Sequence, residues 1–247
     1  MGVLVLMSLA SCLKTVTNNN SSNPAALAII NLVPYAPPFT VILDNQPVTL
    51  TFPYASYDST PNGALAYDSL YAGIHSVDFQ YSGIADSTLA GGLIQFSKNT
   101  KYSIYLFDTL SPYGLQAVQL SDNFDSVPLN YAIMRFLHFS PNAPPFDVYF
   151  GQYGMVDSLP VFTGQSYIGT SNPSTGTLSN YTAVLTPGNY TVFLDSAGAV
   201  NYQYGGSGTL DTFHVQVLPN IAYTMFITGL WDSIGVKAFK LGMIKMN

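Results

Sequence analysis

Gly73-Ile74-His75-Ser76-Val77-Asp78-Phe79-Gln80-Tyr81 alternates between apolar and polar along its length. His75, Val77, Phe79 and Tyr81 fall on one face and Ser76, Asp78 and Gln80 on the other, the period-two signature of a half-buried strand. Phe213, Val215 and Val217, opposed by His214 and Gln216, repeat the pattern. No window sustains a 3.6-residue period, and 20 Gly and 16 Pro interrupt the chain at short intervals. Helix is therefore expected only as a minor component. Composition points the same way, since all 13 acidic residues are Asp and Arg135 is the single arginine, while Tyr and Phe number 18 and 15. Glu, Lys and Arg favour helices, whereas aromatic and β-branched residues favour strands. Short strands separated by Asp-Asn, Pro-Gly-Asn and Gly-Gly turns predict an all-β protein of two tandem β-sandwich domains, immunoglobulin-like or similar.

The number of domains follows from an internal duplication. Ala36-Pro37-Pro38-Phe39 returns as Ala143-Pro144-Pro145-Phe146, an offset of 143 − 36 = 107 residues. Gly73-Ile74-His75-Ser76-Val77 recurs as Gly188-Asn189-Tyr190-Thr191-Val192, and Asn99-Thr100-Lys101-Tyr102-Ser103 as Asn220-Ile221-Ala222-Tyr223-Thr224. A repeat of this length is a domain and not a solenoid unit. The first domain is expected over residues 25–127 and the second over 128–247, joined by the turn-rich stretch Ser121-Asp122-Asn123-Phe124-Asp125-Ser126-Val127-Pro128. The join is short, so the domains should touch, and their shared face is a candidate groove.

Only 8% of the 247 residues are charged, against roughly 25% in an average soluble protein, and the net charge is −6. Nucleic acid is excluded as a partner, because holding phosphates requires a basic patch that seven scattered cations do not make. The only cysteine, Cys12, has no internal disulfide partner. Val3-Leu4-Val5-Leu6-Met7 is too short to span a membrane but suits the core of a secretion signal, and Leu9-Ala10-Ser11-Cys12 follows it. This resembles a bacterial lipobox, in which cleavage before the cysteine leaves an N-terminal Cys to be acylated. No Lys or Arg precedes the apolar core, a departure from the usual signal. Residues 1–11 are expected to be a lipoprotein signal peptide and residues 12–24, rich in Asn and Ser, a flexible tether. No later segment is apolar enough to span a membrane.

Arg135-Phe136-Leu137-His138-Phe139-Ser140-Pro141-Asn142-Ala143-Pro144-Pro145-Phe146-Asp147-Val148-Tyr149 resembles the opening motif of the domain of unknown function 4397. That motif runs as Arg-apolar-apolar-His, then Ser-Pro-Asp-Ala-Pro, then Asp-Val-Tyr. The first copy matches more loosely, with Ala28 for the Arg, Asn31 for the His, Val33-Pro34 for Ser-Pro and Thr40 for the Asp. The resemblance implies extracellular β-sandwich modules of bacterial, often Bacteroidota, secreted and lipid-anchored proteins with no established activity. His138 with Asp147 could orient a general base, and Arg135 could hold an anion. In the first copy, however, Asn31 and Thr40 take the same positions, nine residues apart, and neither can act as a base. All four side chains can form hydrogen bonds, so Arg135, His138, Asp147, Asn31 and Thr40 are expected to be a structural motif that satisfies buried polar groups.

No catalytic, cofactor or metal site is predicted. His75, His138 and His214 lie in different strands without ligand spacing, and no nucleophile elbow, phosphate loop or dinucleotide fingerprint is present. Nine of the 13 Asp residues precede Ser or Thr, and the eight of these pairs followed by a small or aliphatic residue or Thr make Ser59, Ser69, Ser87, Thr109, Ser126, Ser158, Ser196 and Ser233 candidate O-glycosylation sites. The same pairs also build turns at strand ends. Tyr54, Tyr57, Tyr67, Tyr71, Tyr202 and Tyr204 are candidate rings for stacking on sugars. The expected protein is lipid-anchored in the cell envelope at the outer membrane, on its periplasmic or surface face. Its role is expected to be structural, adhesive or ligand-presenting, and non-enzymatic, with a glycan or an envelope protein as candidate partner beyond the membrane. The alternatives are a glycan-binding accessory lipoprotein and a surface fibre or pilus subunit.

Overall fold

The computed structural model describes residues 23–34, 38–52, 65–82, 88–108, 114–124, 127–152, 159–171, 174–198, 209–231 and 239–246. The first eight strands are β1 (Ala25–Asn31), β2 (Phe39–Leu43), β3 (Gln46–Phe52), β4 (Asp68–Leu70), β5 (Gly73–Tyr81), β6 (Thr88–Phe96), β7 (Lys101–Phe107) and β8 (Gln116–Ser121). The next eight are β9 (Ala132–His138), β10 (Phe146–Gly151), β11 (Phe162–Gln165), β12 (Ala183–Leu185), β13 (Gly188–Ser196), β14 (Thr209–Val217), β15 (Ala222–Thr228) and β16 (Lys240–Lys245). Two short helices, α1 (Ile168–Ser171) and α2 (Thr175–Ser179), stand between β11 and β12. The chain is all-β, as its composition requires.

Among the described residues the strands form four sheets of four. Sheet I has the order β4-β1-β7-β8, sheet II β3-β2-β5-β6, sheet III β12-β9-β15-β16 and sheet IV β11-β10-β13-β14. Adding eight to each label turns the first pair of sheets into the second. Pairing is antiparallel except for β1 with β7 and β9 with β15, which are parallel in both copies. The 107-residue offset is kept, because β1 and β9 begin at Ala25 and Ala132, and β2 and β10 at Phe39 and Phe146. The recurring asparagines do one local job: Asn99 and Asn220 adopt φ of 57° and 59° just before β7 and β15. Their N–H groups donate to Pro24 and Tyr131 carbonyls at 3.1 and 2.7 Å. Asn tolerates this left-handed conformation better than other residues with a Cβ. Asp44 and Asn45, with φ of 50° and 62°, form the predicted two-residue turn between β2 and β3.

Three apolar cores hold the sheets. Val41, Val77, Phe79, Ile104 and Leu106 pack between sheets I and II. Met134, Phe136, Val148, Val192 and Met225 pack between sheets III and IV. The third core joins Ile30, Tyr105, Phe107 and Leu120 of the first half to Leu137, Phe139, Phe226 and Ile244 of the second. The layers therefore stack as II, I, III and IV, and sheets I and III are covered on both faces. β9 and β15 are buried at every residue, and β7 at every residue but Lys101. Parallel pairs belong in such doubly covered layers. The shared face is thus a packed seam along most of its extent, not the open groove that a short join suggests. The join itself takes part, since Asp122 and Phe124 are buried in it.

Candidate functional site

Alternation along β9 divides the motif between two environments. Ala132, Met134, Phe136 and His138 face sheet IV, while Ile133, Arg135 and Leu137 face the seam. Arg135 is 1% exposed and is the largest fully buried side chain of the described residues. Its Nη2 donates to Asp122 Oδ1 at 2.6 Å, to Ser103 Oγ at 3.2 Å and to Tyr105 Oη at 3.2 Å. Its Nε donates to Thr224 Oγ1 at 2.8 Å, and Nη1 to the Ser121 carbonyl at 3.4 Å. The guanidinium lies 4.9 Å from the Tyr181 ring centroid, within cation–π range. Asp122 also accepts from Ser103 Oγ at 3.1 Å and Tyr67 Oη at 2.9 Å. Burial pushes the Asp122 carboxyl above its ordinary value, against the opposing pull of Arg135, Tyr67 and Ser103. Burial also raises the Tyr67 and Tyr181 phenols, so both stay protonated at neutral pH. The arrangement neutralises a charge inside the seam and leaves no guanidinium face for a ligand anion.

His138 closes the Pro-Pro bend. The Ser140 N–H donates to its Nδ1 at 3.3 Å, which leaves the proton on Nε2, and Nε2–H donates to the Pro144 carbonyl at 3.2 Å. The ring stacks on Phe146 with centroids 5.3 Å apart and planes 15° from parallel. Burial lowers its pKa to about 4, so the imidazole is neutral at physiological pH. Asn31, its counterpart, accepts the Val33 N–H through Oδ1 at 3.0 Å. Val33 is the equivalent of Ser140, so the amide oxygen reproduces the acceptor role of Nδ1. Asp147 has separate partners: Oδ1 accepts the Gly164 N–H at 2.6 Å and Oδ2 the Gly198 N–H at 2.8 Å. Gly164, at the irregularity of the β10–β11 pairing, and Gly198, in the turn after β13, have φ of 58° and 78°, and the carboxylate holds both beside β10. Thr40 is half-buried in β2 opposite Thr51. His138 and Asp147 therefore secure different segments and do not form a dyad.

Of the candidate modification sites, Ser69 in β4 and Ser196 at the end of β13 are exposed. Asp195 is buried, and its Oδ1 accepts the Ser196 N–H at 2.8 Å. Asp108, which precedes Thr109, is also buried and accepts hydrogen bonds from Tyr167 Oη and, at 3.3 Å, Gln116 Nε2. Cys12, Ser59, Ser87, Thr109, Ser126, Ser158 and Ser233 lie outside the described residues, as do Tyr54, Tyr57, Tyr202 and Tyr204. Tyr67 is committed to Asp122, whereas Tyr71 is 52% exposed.

Sequence reading missed Asp122, Ser103, Tyr105 and Thr224 as partners of Arg135. They come from two strands, β7 and β15, and the join, and no local spacing connects them. One signal was available: a lone arginine inside the apolar run Ile133-Met134-Arg135-Phe136-Leu137 demands a buried carboxylate. Among the described residues no three His, Cys, Asp or Glu side chains gather as metal ligands, and no helix is long and apolar enough to cross a membrane.

Where the seam meets solvent, α2 lies on β8 with an opening on either side. One, of about 300 Å³, is lined by Gln116, Gln119, Ile168, Thr175 and Leu178 among others. The other, of about 590 Å³, lies between the join and the α2–β12 segment. Ser179 pins the helix there by accepting the Ser121 N–H at 3.0 Å.

No curated protein matches the chain. The family described as Domain of unknown function (DUF4397) matches residues 25–149, from the start of β1 into β10, and so takes in the loosely matching first copy together with the Arg135–Tyr149 motif. That match covers half of the sequence, and the chain belongs to this family.

Proposed function

We propose that this protein is a lipid-anchored, non-enzymatic component of the bacterial cell envelope, with a structural, adhesive or ligand-presenting role. The reading is carried by Leu9-Ala10-Ser11-Cys12 behind the short apolar run Val3–Met7. Acyl chains on Cys12, at about 0.8 kcal/mol per buried methylene, would hold the chain at a bilayer without a transmembrane segment. Leu13 to Pro24 would then connect the anchor to β1. The absence of a catalytic role is supported by how the motif's groups are employed. Arg135 is paired with Asp122, both ring nitrogens of His138 are engaged, and Asp147 holds two backbone N–H groups. The test is expression of the full chain in a bacterial host fed an alkyne-bearing fatty acid. The wild type should take up label and fractionate with membranes, and Cys12→Ser should lose both. A wild-type chain that is secreted unlabelled would overturn the proposal.

A further inference from the structure

We propose that the 590 Å³ groove between the two halves is a binding site for neutral carbohydrate. This deepens the ligand-presenting reading above and rests on it. The volume lies within the ~300–1,000 Å³ typical of small-ligand sites. Its lining comes from both halves, with Asn123 and Pro128 from the join and Asn180, Tyr181 and Val184 from the segment after α2. Among the described residues no charged side chain lines it, although sheets I and III enclose an ion pair just beneath. That pair is spent internally, with side chains 1% and 0% exposed and Arg135 covered by the Tyr181 ring. A charged ligand would find no counter-charge among these residues, and a wholly apolar one would strip water from two exposed carboxamides without replacing their hydrogen bonds. Asn123 and Asn180 each offer a donor and an acceptor, the set that matches adjacent hydroxyls on a pyranose ring. Pro128, Val184, which is 56% exposed, and the half-buried Tyr181 supply apolar surface for the C–H faces of the sugar. The floor is preorganised, because Ser179 pins α2 to β8 and Arg135 holds the Ser121 carbonyl, so little ordering opposes binding.

The test is an NMR titration of the full, isotopically labelled chain with maltotetraose, cellotetraose, xylotetraose and N-acetylchitotetraose, and with trigalacturonate as the charged control. At least one neutral saccharide should give saturable shifts at the Asn123, Asn180 and Val184 amides, with a dissociation constant of about 1 mM or tighter. Asn123→Ala with Asn180→Ala should weaken that binding at least about tenfold while the melting temperature stays unchanged. Val184→Trp, which fills the groove from an exposed strand position, should abolish it. The proposal fails if no neutral saccharide gives saturable shifts up to about 50 mM, if the shifts map elsewhere, or if trigalacturonate binds more tightly. Fatty-acid labelling of the same chain reads the anchor separately, so a labelled protein that binds no sugar overturns the groove and leaves the anchor standing.

Discussion

His138 keeps its proton on Nε2 because the Ser140 N–H occupies Nδ1, and burial holds the ring neutral down to about pH 4. An unfolded chain would take up the proton near its ordinary value of about 6.5. The folded pKa is the lower one, so between the two values the unfolded state binds more protons and stability falls as pH falls. From pH 7 to pH 5 this single residue should cost about 2 kcal/mol, a shift of several degrees in Tm. His138→Asn imitates Asn31 and should remove that part of the pH dependence; paired thermal melts at the two pH values check it, and an unchanged slope would count against the neutral-ring assignment. Arg135 gives a second prediction at the same scale. Arg135→Met strands Asp122 inside the seam and should destabilise by about 3–5 kcal/mol in chemical denaturation. Asp122→Leu added to Arg135→Met should recover most of the loss, because a buried pair breaks even against apolar residues far more readily than a lone charge does.

At the scale of the strand, the parallel pairs β1/β7 and β9/β15 need an entry turn that starts the last strand of each pair in register. Asn99 and Asn220 provide it in the left-handed region. Asn99→Ala should cost about 1 kcal/mol, since a Cβ without the Asn side chain is disfavoured there, while Asn99→Gly should be close to neutral. Thermal melts of the two variants separate this conformational account from one based on side-chain contacts. Period-two alternation was legible in β5 and β14, and the inward face of β5 holds His75, Val77 and Phe79 as read. Less legible were the three-residue strands β4 and β12 and the five-residue helix α2, whose sequences are too short to show a period. They form because neighbouring elements supply their hydrogen bonds, as Ser174 does in capping α2 by accepting the Thr177 N–H at 3.2 Å.

Taken whole, the described residues stack four sheets around three cores, and the middle core couples the two halves. Phe139 and Phe226 are buried in that seam, with 0% and 1% exposure. The polar ties across it include Thr228 Oγ1 donating to the Leu32 carbonyl at 2.9 Å. Halves joined in this way should unfold together. Calorimetry should give one transition whose calorimetric and van't Hoff enthalpies agree, and two resolved peaks would show that the seam is weaker than its burial indicates. Phe226→Ala should lower the transition by about 3–5 kcal/mol, a core-sized loss, although Phe226 lies between the sandwiches and not within either.

Alternation, the shortage of helix formers and the 107-residue repeat were enough to determine an all-β chain built twice on one plan, because side-chain periodicity and turn chemistry are local properties. The polar motif could also be read as hydrogen-bonding, by comparing His138 with Asn31 and Asp147 with Thr40. Only the tertiary structure decided that sheets I and III face each other, that Arg135 finds Asp122 of the join, and that the described residues lining the opening beside α2 are polar or apolar but carry no charge. A strand carries its own alternation, but both of its faces can be apolar, and which face meets which sheet depends on contacts between residues far apart in the chain. The charge inside the seam and the groove above it exist only once those contacts are made.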